Sequence, residues 1–151
     1  MFPQPFRASG AGRPLGSIDE SALLMISQIR HLPTVLVVED DLMLRMRAVD
    51  MVEDAGFLCV EAINADDALA ILETRSDIDL LFTDIQMPGS MDGLKLAYRV
   101  SDQWPPIKII IVSGKVKPSD ADKPANSLFF GKPLNAKKMI ALLQDMIGQV
   151  H

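Results

Sequence analysis

The sequence predicts a doubly wound α/β domain, a parallel sheet of five strands with helices on both faces. Three observations carry this. Short runs such as Val35-Leu36-Val37-Val38 and Ile109-Ile110-Ile111-Val112 are continuously apolar and β-branched, as strands buried on both faces require. Between the runs, apolar residues recur at helical spacing. Strand and helix alternate along the chain, the pattern of parallel strands joined by right-handed helical crossovers.

The first strand opens at Thr34 and ends in Glu39-Asp40-Asp41. Helical periodicity follows through Leu42, Met46, Val49 and Val52, and Gly56 stands at the C′ position that ends a helix. Met43, Met46 and Met51 lie at helical spacing and are expected in the core rather than around a cofactor. Residues 57–60 form the second strand, with Cys59 a small buried hydrophobe. Asn64 caps a helix containing Ala68, Leu69 and Leu72. Residues 80–83 form the third strand, which runs into Asp84. Asp92-Gly93 opens a helix to about Ser101, and residues 107–112 form the fourth strand, ending at Ser113-Gly114. Residues 128–130 form the last strand, leading to Lys132-Pro133, and Asn135 caps a final helix to about Ile147.

Ahead of this domain, residues 1–16 hold three prolines, three glycines, two arginines and no acid, a composition that buries little and breaks helices. They read as a flexible tail. An Arg-containing targeting peptide is the other reading, without the apolar stretch that secretion needs. Ser17-Ile18-Asp19-Glu20 has the form of a capping box, with a helix over 17–30 whose apolar stripe needs the domain body or a second chain. Met25 is a second candidate start. The organisation read from the sequence is an N-terminal extension over 1–33, a domain over 34–147 and a short tail over 148–151.

Composition narrows the function classes. With 15 basic and 20 acidic residues the formal charge is −5, against a general nucleic-acid binder, which needs Lys and Arg to neutralise phosphates. No apolar run approaches the ~20 residues of a membrane span. One cysteine and two terminal histidines leave neither a disulfide framework nor a Cys/His metal cluster. A protein in a reducing, cytoplasmic compartment is expected.

In open parallel α/β sheets, function collects beyond the carboxyl ends of the strands. There stand Glu39 and Asp40 after strand one, Asp84 after strand three, Ser113 after strand four and Lys132 after strand five. Taken singly, each has an ordinary reading. The acidic triplet can cap the next helix, Asp84 can form a turn, and Lys132-Pro133 can be a plain loop. Gathered at strand ends they mean more. Three close carboxylates repel unless one takes a proton or a cation intervenes, and Mg²⁺ takes one or two carboxylates with waters and phosphate oxygens. A carboxylate beside Mg²⁺, an ammonium and a hydroxyl can attack a phosphoryl group.

The segments Leu36-Val37-Val38-Glu39-Asp40-Asp41, Asp84 through Gly93, Val112-Ser113-Gly114 and Lys132-Pro133 together resemble the receiver domain of two-component response regulators, over about 34–147. The resemblance implies a flavodoxin-like sheet of order 2-1-3-4-5. It makes Asp84 the phosphoacceptor and Asp40 a direct Mg²⁺ ligand, with Glu39 acting through water and Gln86 contributing its backbone carbonyl. Ser113 and Lys132 match the family's hydroxyl and lysine, Phe129 its switch aromatic, and the bond to Pro133 would be cis. Gln86 and Lys115 fall where the family tunes hydrolysis of the phosphoryl group. The donor would be a sensor histidine kinase or a histidine phosphotransfer protein. The chain would act as a single-domain response regulator, not an enzyme on metabolites, and pass its signal by protein contact, phosphorelay or a homodimer.

Three features depart from the family pattern. The loop Met87-Pro88-Gly89-Ser90-Met91-Asp92-Gly93 carries one residue more than the common M-P-x-M-D-G form. Between Ser113 and Lys132, Pro118 and Pro124 and a weak periodicity predict a fourth helix that is short or irregular. Phe129 replaces a tyrosine and brings no phenolic hydroxyl. Rival classes fit less well. A phosphohydrolase of the haloacid dehalogenase type wants an acid at Gln86, and a flavodoxin or nucleotide binder wants a phosphate loop where the Glu39 triplet would repel phosphate. A receiver that only binds and no longer turns over phosphate is the remaining alternative.

Overall fold

A computed structural model describes residues 19–24, 32–87, 89, 91–114 and 123–147. The chain divides into two compact units, residues 1–32 and 33–151. In the first, residues 20–24 are helical. The Asp19 carboxylate accepts from Ala22 N–H at 2.8 Å, and the Asp19 carbonyl from Leu23 N–H at 3.0 Å. Asp19 therefore caps this turn, two residues beyond the Ser17 of the expected capping box. The tail over 1–16, Ser17 and Met25, and the rest of the helix expected over 17–30 lie outside the described residues, as do 148–151.

The second unit holds β1 (Thr34–Val38), α1 (Leu42–Asp54), β2 (Leu58–Ala62), α2 (Ala65–Thr74), β3 (Ile78–Asp84), α3 (Gly93–Gln103), β4 (Lys108–Ser113), β5 (Ser127–Gly131) and α4 (Ala136–Ile147). Among the described residues the four pairings are all parallel, in the order β2-β1-β3-β4-β5. This is the doubly wound, flavodoxin-like order. The helix expected between Ser113 and Lys132 falls largely on residues 115–122, outside the described residues.

The helix boundaries are local chemistry. Asp41, Asn64, Asp92 and Asn135 each accept from the N–H three residues on, at 2.8 to 2.9 Å, which satisfies a donor the first turn leaves open. Gly56 ends α1 with φ of +96°, and the Phe57 and Gly56 N–H groups return to the carbonyls of Val52 and Glu53. Glycine takes that left-handed conformation without Cβ strain.

Strand residues alternate between two cores, one on each face. Leu36, Val38, Leu81, Ile109 and Ile111 pack with Leu72 of α2 and Leu96 and Val100 of α3. Val35, Val37, Leu80, Phe82, Ile110 and Val112 pack with Met51 and Val52 of α1 and Met139 and Leu143 of α4. Burial of the central strands on both faces is what selects their unbroken apolar runs.

Helix α1 departs from the sequence reading. Its buried positions are Ala48, Met51 and Val52, whereas Met43 is 67% and Met46 51% exposed, and Leu42 is exposed as well. Met51 is a core residue as expected; Met43 and Met46 are not. Periodicity locates an apolar stripe, but the sheet covers only the C-terminal half of this one.

Candidate metal centre

Register brings the polar residues to one edge. Val38 pairs with Thr83, so Glu39 and Asp84 leave their strands at the same level. Asp84 pairs with Val112 and Ser113 with Gly131, which puts Ser113 one step and Lys132 two steps further along. Main-chain bonds hold the level: Ile85 N–H donates to Val112 and Lys132 N–H to Ser113, both at 2.9 Å.

Carboxylate oxygens of Glu39, Asp40 and Asp84 lie within 4.8 Å of one another. Glu39 and Asp84 are buried, and Asp40 is exposed. The Lys132 ammonium stands 3.2 Å from Glu39 Oε1 and 3.3 Å from Asp84 Oδ2, and Asp41 N–H donates to Glu39 Oε2 at 3.1 Å. Burial pushes the Glu39 carboxyl above the ordinary range. The Asp41 N–H and the Lys132 charge oppose that rise, while Asp40 and Asp84 add to it. Burial also disfavours the Lys132 charge, but Asp84 and Glu39 beside it outweigh this and hold the ammonium above the usual lysine range. Three acids against one lysine leave a local formal charge of −2.

Asp84 Oδ1 is buried and accepts no hydrogen bond from any described residue. An anionic oxygen left without a donor is costly, and a hard divalent cation with oxygen ligands answers both that vacancy of donors and the mutual repulsion. The donor set, three carboxylates and nothing softer, suits Mg²⁺ rather than a thiophilic metal.

The other expected site residues fall as follows. Ser113 is buried at the end of β4. Phe129 is half-buried on β5, against the α2–α3 core, on the same side of the sheet as Ser113 by strand alternation. Gln86 is exposed at the head of the loop after β3. The Lys132–Pro133 bond is cis. Lys115 lies outside the described residues. Beside the acids, a cavity of about 270 Å³ runs between Leu44, Ala48 and Met51 of α1 and Leu134, and reaches Asp84 and Lys132.

Two residues shape this edge through contacts that residue types alone do not show. A Cβ on Gly93 would lie 1.7 Å from the Asp84 carbonyl oxygen, so only glycine lets α3 begin against the backbone of Asp84. Gly93 N–H donates to Ile85 at 2.8 Å there. Its signal was a poor helix former at a first helical position. Arg45 donates through Nη1 to the Glu39 carbonyl at 3.0 Å and through Nε to Glu61 Oε1 at 3.1 Å. Its signal was a cation near a helix N-terminus, where the dipole disfavours one.

Fold and site define a parallel α/β domain with a lysine-bearing acidic pocket at its carboxyl edge. Residues 35–144 match the family model described as response regulator receiver domain, and the chain belongs to that family of signalling domains. It is 30% identical over 116 residues to the response regulator receiver protein CpdR of Brucella abortus, covering 75% of this chain and 95% of that protein. It is 33% identical over 118 residues to the sensor kinase CckA of the same organism, covering 76% of this chain but spanning only 12% of that kinase. The crystal structure of a response regulator receiver protein from Sinorhizobium medicae superposes with a TM-score of 0.72 at 23% identity, over 80% of this chain and 98% of that one. No described helix is long and apolar enough to cross a membrane.

Proposed function

We propose that the chain is a single-domain response regulator that accepts a phosphoryl group on Asp84. The observation that carries this is Asp84 itself: a buried carboxylate with Oδ2 3.3 Å from Lys132 and Oδ1 without a donor among the described residues. Burial strips the carboxylate of water. An Asp84 oxygen attacks phosphorus as the bond to the donor's imidazole nitrogen breaks, and the electron pair stays on nitrogen. Lys132 neutralises charge on the equatorial oxygens, and the Ser113 hydroxyl supplies a further donor. Glu39, Asp40, Asp84 and the Gln86 backbone carbonyl would hold Mg²⁺, which supplies charge neutralisation when bound. Gln86 and Lys115 would govern access of the hydrolytic water. Swapping both should change the lifetime of the phosphorylated protein, and an unchanged half-life removes that role.

A protein donor, a sensor histidine kinase or a histidine phosphotransfer protein, fits the exposed Leu42, Met43 and Met46. They lie on the turns of α1 that follow directly from the acidic edge, where a docking helix would cover them. The catalysis is then limited to the chain's own phosphotransfer and dephosphorylation, a cytoplasmic role. Output would run through a protein partner, a relay or self-association, with Phe129 moving by packing alone.

Incubation with acetyl phosphate and Mg²⁺ should add one phosphoryl group by intact mass, and Asp84→Asn should abolish it. Undiminished labelling of Asp84→Asn would overturn the assignment.

A further inference from the structure

We propose that Arg45 is a positioning residue for the cation: it fixes the Glu39–Asp40 peptide and so aims the Asp40 carboxylate. This rests on the Mg²⁺ reading above.

Of the three acids, Asp40 is the exposed one, with a carboxylate oxygen within 4.8 Å of one on Glu39, a spacing that favours a cation between the two anions. What directs it must come from its backbone. Glu39 has every polar group assigned. Its N–H donates to Ala62 of β2 at 3.1 Å, and its carboxylate takes Asp41 N–H and Lys132. Its carbonyl takes Arg45 Nη1 at 3.0 Å. That carbonyl belongs to the planar unit that ends at the Asp40 Cα. Holding the oxygen sets the direction in which Asp40 leaves the strand.

Arg45 is itself held. Its side chain is 14% exposed, and Nε is bound to Glu61 on β2. The guanidinium is a rigid planar fork, so the bond to Glu61 and the bond to the Glu39 carbonyl cannot turn independently. A bare guanidinium this close would repel an incoming cation. Glu61 neutralises it, leaving the geometry without the charge. Outer-shell partners of this kind are typically worth about 10- to 100-fold in metal affinity.

The test is calorimetric titration of the full chain with Mg²⁺, with acetyl-phosphate labelling rates over a Mg²⁺ series. Arg45→Met keeps the apolar stem and should weaken Mg²⁺ by about tenfold. The half-saturating Mg²⁺ for labelling should rise in step, while the rate at saturation falls less than twofold. Arg45→Lys retains one donor and should recover part of the affinity. Binding by Arg45→Met within twofold of wild type overturns the inference, as does a labelling rate that stays depressed at saturating Mg²⁺. Should Arg45→Met not fold, Arg45→Lys decides, and wild-type affinity in it refutes the role. A wild-type chain that binds no Mg²⁺ overturns the metal reading and this inference with it.

Discussion

Asp84→Asn should stabilise the metal-free protein. Asp84 lies within 4.8 Å of carboxylate oxygens on both Glu39 and Asp40 and 3.3 Å from the Lys132 ammonium. At a common dielectric, the two repulsions exceed the one attraction by ~0.5 kcal/mol in bulk water and by ~2 kcal/mol at the effective value of a protein surface. The amide removes that excess. For a domain of this size the melting midpoint should rise by roughly 2 to 10 °C. The assay is thermal unfolding in EDTA, followed by circular dichroism, with both proteins repeated in Mg²⁺. The cation should raise the wild type far more than the variant, since it binds the folded site and not the unfolded chain. A variant that melts at or below the wild type in EDTA would refute the reasoning, because the three acids would then not be straining the fold.

Two further outcomes rest on other parts of the molecule. Gly93→Ala forces a methyl to 1.7 Å from the Asp84 carbonyl oxygen, and backbone on both sides cannot yield cheaply. Urea unfolding should show a loss of about 3 kcal/mol or more, and a loss under 1 kcal/mol would contradict the close approach. Burial, then the charges of Glu61 and Glu53, push the Cys59 thiol up to about 12. A raised value favours the neutral thiol, so at pH 8 iodoacetamide should modify folded protein at least about tenfold more slowly than unfolded chain, the loss of thiolate outweighing its greater nucleophilicity. The protection should fade as pH rises toward 12, and equal rates at pH 8 would be inconsistent with it.

Much of this arrangement was readable from residue types. Caps at Asn64, Asp92 and Asn135 and the stop at Gly56 depend on a few neighbouring atoms, so local sequence specified them. The strand ends were less legible. β3 runs from Ile78 to Asp84 rather than over 80–83, because its ladder with β4 continues to the Asp84–Val112 pair, and pairing is a property of two segments. Leu42, Met43 and Met46 show the same limit. An apolar stripe reads identically whether its own sheet covers it or it faces outward. The helix start at Asp92-Gly93 was legible, but what Arg45 and Gly93 touch was not. Their partners, a backbone carbonyl 6 residues away and another 9 residues away, come together only once each strand has turned into the helix that follows it.

The loop after β3 is closed at its neck. Ile85 N–H is tied to Val112 and its carbonyl to Gly93 N–H, so both ends of the segment over 86–92 are anchored before the loop begins. A change of length between those two ties would leave the main chain of Asp84 and Ile85 held as it is. Loop length and the placement of Asp84 thereby become separate variables, the first bearing on what approaches the acidic edge and the second fixed by the sheet.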